Sequence, residues 1–109
     1  KITFSGDTKP CDNLMKYGQL TDVLIHEVFI EDEIQLIPQM ISKKTLHNVK
    51  AYHTLSTIVG KVAKITRCKK LVLTHFVPTQ FNKRKLINVV KKDFGKNPII
   101  GKDLLQIII

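Results

Sequence analysis

Hydrophobic and polar positions fall into short blocks along this chain, and the period changes from block to block. Residues 1–5 predict a strand that ends at Ser5-Gly6-Asp7-Thr8. Pro10 to Tyr17 fits a short helix, with Pro10 in its first turn and Gly18 closing it. Asp22-Val23-Leu24-Ile25-His26 has the polar ends and apolar centre of a buried strand. Residues 27–52 give no single period. Ile34, Ile37 and Ile41 have helical spacing, but Pro38 interrupts them, which predicts a lid-like loop or a broken helix. Beyond Thr54 the pattern sharpens. Leu55, Ile58, Val59 and Val62 trace one helical stripe, with Lys61 and Lys64 off it. Gly60 inside that helix costs about 1 kcal/mol relative to Ala, so something is expected to pack closely against it. Leu71-Val72-Leu73-Thr74 predicts a strand running into His75. Asn82 can cap a helix through Phe94, with Leu86, Val89, Val90 and Phe94 inward and Gly95 as its stop. Pro98 to Ile100 and Leu104 to Ile109 read as two short strands around a Gly101-Lys102-Asp103 turn. The order β-α-β-(α)-α-β-α-β-β predicts an α/β layered fold.

A length of 109 residues allows one modest core. The longest apolar runs are far short of the ~18 residues of a transmembrane helix, and no membrane partner is expected. Cys11 and Cys68 are too few for a disulfide scaffold and fit a reducing, cytoplasmic compartment. The net charge of +9 is unevenly distributed. Residues 1–33 hold seven carboxylates against three lysines, and residues 34–109 hold two carboxylates against 15 Lys and Arg. A basic surface of that size suits an anionic partner, although it can also serve solubility alone. Only Arg67 and Arg84 can make bidentate forks. Aromatic residues make up 6% with no Trp, which argues against an extended stacking platform for single-stranded nucleic acid.

The polar residues of chemical interest fall at strand ends or just before helices. Asp7 follows the first strand, His26-Glu27 ends the second, His53 precedes a helix and His75 ends a strand. Ligand sites in α/β folds gather at the carboxyl ends of strands. Three histidines and two carboxylates at such positions form a metal-site or acid–base pattern. Taken singly, each has a structural explanation: a turn for Asp7, a hydrogen-bonded histidine after a strand, a surface His-Glu pair. His47, near Lys43 and Lys44, is expected to be solvated.

Four motifs in order are more specific than any one. Ser5-Gly6-Asp7-Thr8 with Asp12-Asn13-Leu14, then Leu24-Ile25-His26-Glu27, then Tyr52-His53-Thr54, then Leu71-Val72-Leu73-Thr74-His75-Phe76, resemble the second half of the metallo-β-lactamase-fold hydrolases. The similarity runs through the tail Ile100-Gly101-Lys102-Asp103-Leu104 and points to the ribonuclease Z and arylsulfatase-type branches. It implies residues 1–109 are the C-terminal half of one αββα sandwich. By the same resemblance, Asp7 is a carboxylate bridging two zinc ions and His75 ligates one of them. His53 acts near the leaving group, and Glu27 holds and polarises His53. A carboxylate that orients an imidazole and stabilises its protonated form suits a general acid.

Two departures bear on the branch. Phe76-Val77-Pro78-Thr79-Gln80 lacks the Arg that usually follows in ribonuclease Z, and Tyr52-His53-Thr54 replaces Gly-His-Ser. Both lean toward hydrolysis of a small phosphodiester or sulfate ester, with transfer-RNA 3′-end processing as the alternative and a non-catalytic interaction module as a third. The family's upstream His-x-His-x-Asp-His ligand run does not occur in these residues. Two ligands do not close a zinc shell of three or four protein donors. The 109 residues alone are therefore expected to be inactive, and to self-associate through the sheet face that the other half would cover.

Overall fold

The computed structural model describes residues 1–36 and 42–109. Four strands, β1 (Ile2–Phe4), β2 (Val23–Phe29), β3 (Lys70–Val77) and β4 (Ile99–Ile100), form one sheet in the order β1-β2-β3-β4, with every neighbouring pair parallel. Parallel neighbours need crossovers, and the helices supply them. These are α1 (Asp12–Tyr17), α2 (Lys43–Tyr52), α3 (Ser56–Thr66) and α4 (Lys83–Phe94). This is an α/β architecture, as the pattern predicts.

Side chains of a strand alternate between faces. In register, Thr3, Leu24 and Leu71 share one face, while Ile2, Val23 and Lys70, then Phe4, Ile25 and Val72, share the other. The first face carries the core. Leu24, Val28, Leu71 and Leu73 pack with Val59, Val62 and Ala63 of α3 and Leu86, Val90 and Phe94 of α4. Gly60 sits where the two helices meet: a Cβ there would lie 2.5 Å from the Val90 carbonyl oxygen. That is the close approach its place in the helix predicts. Asn82 caps α4 by accepting from the Lys85 N–H at 3.0 Å, and Gly95 ends it with φ +83°.

The second face is open at its β1 side and closed further in, where Val23 and Val72 are buried. Ile2 and Phe4 are 49% and 70% exposed. Beside them lies a hollow of about 610 Å3 lined by Ile25, Val72, Leu105 and Ile107, among others.

Three sequence expectations need correction. Leu104 to Ile109 does not form a strand. Within it Leu105 and Ile107 line the hollow, and Lys70 Nζ donates to the Ile108 carbonyl. Its apolar pattern marks partial burial rather than ladder pairing. The first helix begins at Asp12, two residues after Pro10. The stretch 27–52 is neither one loop nor one broken helix. Its start continues β2, Glu31–Leu36 forms a 3-10 helix, and Lys43–Tyr52 is a full α-helix capped by Ser42. Ile34 is buried, whereas Ile37, Pro38 and Ile41 lie outside the described residues.

Candidate functional site

Because β1, β2 and β3 run parallel, their carboxyl ends share one edge of the sheet, and the candidate residues meet there. The chain leaves β1 through Gly6 at φ +62°, a left-handed conformation that glycine adopts without cost, and this turn delivers Asp7. Glu27 comes from within β2. His53 is the C-cap of α2, and His75 lies near the end of β3.

Glu27 is the hub. It is 2% exposed. Its Oε1 accepts from the Thr54 N–H at 2.9 Å and the Thr8 N–H at 3.2 Å, and lies 3.3 Å from His53 Nδ1. Thr54 closes the loop by donating its hydroxyl to the Thr8 carbonyl at 2.6 Å. One buried carboxylate thus ties together the turn after β1, β2 and the α2–α3 junction. Glu27 Oε2 is buried with no partner among the described residues. Burial pushes the Glu27 carboxyl above its ordinary value, and the Thr54 amide, the His53 charge and the Thr8 amide oppose the shift. With Nδ1 donating to Glu27, the His53 ring presents Nε2 for proton transfer.

His75 Nδ1 lies 3.1 Å from Asp7 Oδ1, and the two side chains are 53% and 59% exposed. The His53 and His75 rings are stacked with centroids 6.2 Å apart. The β2–β3 register passes from Glu27 opposite Thr74 to Val28 opposite Phe76, so His75 is an extra residue bulged out of the ladder. Its φ of +47° is unusual for a residue with a Cβ. Bulges re-aim side chains next to active sites, and this one turns His75 toward Asp7. No sequence signal marked the bulge, because it exists only relative to the partner strand.

All four candidates, Asp7, Glu27, His53 and His75, therefore converge. His26 does not. It is fully buried, with Nδ1 2.7 Å from the Glu27 carbonyl and Nε2 without a partner among the described residues. Desolvation lowers its pKa, disfavouring the charged ring, and the hydrogen bond to the Glu27 carbonyl opposes the shift. His47 is exposed, as expected. Thr8 and Thr54, whose backbone amides hold Glu27, were not singled out as site residues in the sequence. Their positions directly after Asp7 and His53 were the available signal.

A carboxylate and an imidazole 3.1 Å apart are donors of the kind zinc takes. They are too few: no group of three or more His, Cys, Asp or Glu able to hold a metal ion occurs among the described residues. The residues present match a zinc centre in kind and do not complete one.

The parallel sheet with its helical layer on one face is shared with a solved structure of the metallo-β-lactamase fold, and this chain has that fold. The metallo-beta-lactamase fold protein YhfI from Bacillus subtilis superposes with a TM-score of 0.67 over 93% of this chain and 36% of that one, at 22% identity. Its relatives in sequence include a zinc phosphodiesterase and several ribonucleases Z. A zinc phosphodiesterase ELAC protein 2 homolog of Caenorhabditis elegans is 37% identical across 94% of the chain, and the ribonuclease Z of Archaeoglobus fulgidus is 26% identical across 98%. A Bacillus licheniformis ribonuclease Z is 35% identical over 68%. The chain spans only 12%, 32% and 21% of those relatives' respective lengths. No family model matches it. These relatives correct the branch. The ribonuclease Z alternative fits them better than the arylsulfatase-type reading drawn from Tyr52 and from Thr79-Gln80.

Proposed function

We propose that this chain supplies the acid–base side, and part of the metal-binding side, of a zinc-dependent phosphodiesterase that acts on RNA in the manner of ribonuclease Z. The observation that carries the proposal is the Glu27–His53 pair set beside Asp7 and His75 on one sheet edge. In this reading His53 donates a proton from Nε2 to the leaving oxygen of the phosphodiester. Glu27 fixes the orientation of the ring through Nδ1. Asp7 and His75 are two of the metal ligands, and the rest come from residues outside these 109. The basic character of residues 34–109 favours approach of an anionic ester. The free thiols of Cys11 and Cys68 suit a reducing, cytoplasmic setting.

The test is turnover by the protein that carries this chain, on a transfer-RNA precursor, a small aryl phosphodiester and an aryl sulfate. RNA is the expected preferred substrate, and His53→Ala is expected to lower kcat by about 10²–10⁴. Faster turnover of the sulfate ester, or an unaffected His53→Ala protein, would overturn the proposal.

A further inference from the structure

The hollow beside His53 contains more than the acid–base chemistry uses. It has a volume of about 360 Å3 and is lined by Asp7, Thr8, Lys9, Tyr52 and His53. That volume falls at the small end of the roughly 300–1,000 Å3 typical of ligand clefts. Asp7 and His53 have roles already, and Thr8 is committed through its backbone to Glu27 and Thr54. Tyr52 and Lys9 have none. Tyr52 is the last residue of α2, so the chain path that sets His53 also sets Tyr52 on the rim, where it is 71% exposed. Lys9 is exposed and forms no ion pair among the described residues.

Leaving a large aromatic ring in water forgoes burial of its apolar faces, unless a ligand covers it. The other exposed aromatic rings have different surroundings: Phe4 stands on the open sheet face, and Tyr17 has the Lys16 ammonium 5.2 Å from its ring centroid. Tyr52 shares its hollow with His53, the proton donor of the proposed reaction, whereas Phe4 lines a smaller hollow of about 160 Å3 with Asp7, Glu27 and His75. A flat π face and an ammonium, side by side at a phosphodiester site, match the two parts of a nucleotide. A base stacks on the ring, and a phosphate meets the amine.

We propose that Tyr52 and Lys9 form a one-nucleotide shelf: Tyr52 stacks the base beside the scissile bond and Lys9 holds a flanking phosphate. The shelf rests on the RNA reading above. It accommodates a single base, which agrees with a chain too poor in aromatics for an extended platform. It contacts substrate without taking part in bond cleavage.

The experiment measures binding of a short single-stranded RNA to the protein carrying this chain, with chelator present to prevent cleavage. A matched set of strands has one abasic residue at each position in turn. Tyr52→Ala is expected to weaken binding of the base-bearing strand about tenfold, within the range of losing one stacked base. One abasic position should abolish that difference, and Tyr52→Phe should bind as the wild type does. Lys9→Ala should weaken all strands alike and reduce the salt slope by about one phosphate contact. Equal loss for every abasic strand in Tyr52→Ala would indicate a structural role and overturn the shelf, as would unchanged affinity. If instead the wild-type protein binds no RNA, the ribonuclease reading itself fails and the shelf with it. Stacking confined to aryl phosphodiesters, seen as a raised KM in Tyr52→Ala, would also reject a nucleotide shelf.

Discussion

Glu27 and His26 are neighbours on β2, and strand alternation sends them to different places: Glu27 into the site, His26 into the core. Both are buried, and each keeps one polar atom without a partner among the described residues. Such atoms lose hydration without recovering a hydrogen bond. Their linkages to pH have opposite signs. Burial raises Glu27 above its usual 4.5, so the folded state holds that proton more tightly than the unfolded chain does. Its effect favours the fold at acid pH, and that benefit is lost as pH rises through the folded value. His26 is lowered from 6.5, so its contribution is present above that pH and is lost as pH falls through the folded value. Glu27→Gln is therefore expected to flatten the decline in stability on the alkaline side of pH 4.5 and, if the proposed function holds, to reduce turnover by the protein that carries this chain by about 10²-fold or more. His26→Leu is expected to retain stability below pH 6.5 where the wild type loses it. Urea midpoints taken across pH 4 to 8 separate the two. A His26→Leu profile parallel to wild type would show that protonation of His26 does not drive the acid loss.

At the scale of elements, legibility in the sequence followed how local each signal was. The cap at Asn82, the stop at Gly95 and the stripe of α3 are set by residues a few positions apart, and all three formed. Gly60 was legible in its consequence because a glycine inside a helix is costly without a reason. The reason is the α4 backbone. Gly60→Ala gains about 1 kcal/mol of helix propensity, but the new methyl meets a carbonyl at 2.5 Å that cannot swing away. Overpacking typically costs roughly 1–3 kcal/mol, so the net expectation is a less stable protein, read as a lower urea midpoint at unchanged slope. Elements set by distant partners were less legible. α2 has no buried residue, so it left no apolar stripe to find. The bulge at His75 depends on pairing with a strand more than 40 positions earlier. The four candidate residues that meet at the strand ends each stand in a short motif, and the motifs come in a fixed order. His26 shares a motif with Glu27, and only the strand register separates their roles.

For the whole molecule the question is what the open sheet face does in water. One face of the sheet is sealed by α3 and α4, while Ile2 and Phe4 stand exposed on the other. Leu104, Ile108 and Ile109 add further exposed apolar surface at 99%, 86% and 65%. Ile2 and Phe4, neighbours on one face of β1, mark an interaction surface. β1 is moreover a three-residue edge strand with its outer backbone groups unpaired in the sheet. The net charge of +9 opposes association at low salt, because like-charged chains repel. Salt screens that repulsion over a length of about 10 Å at 0.1 M and does not weaken apolar burial. The 109-residue chain is therefore expected to self-associate more strongly as salt rises, the reverse of an assembly held by ion pairs. Phe4→Glu puts a charge at the exposed β1 side of the face and is expected to keep the chain monomeric across the same salt range. Replacing an exposed side chain leaves the core on the other face untouched, so circular dichroism should not change. Sedimentation velocity from 50 mM to 500 mM salt reads the difference. A chain that dissociates as salt rises would assign the contact to the charged surface, and a Phe4→Glu chain that assembles like wild type would clear this face of the role.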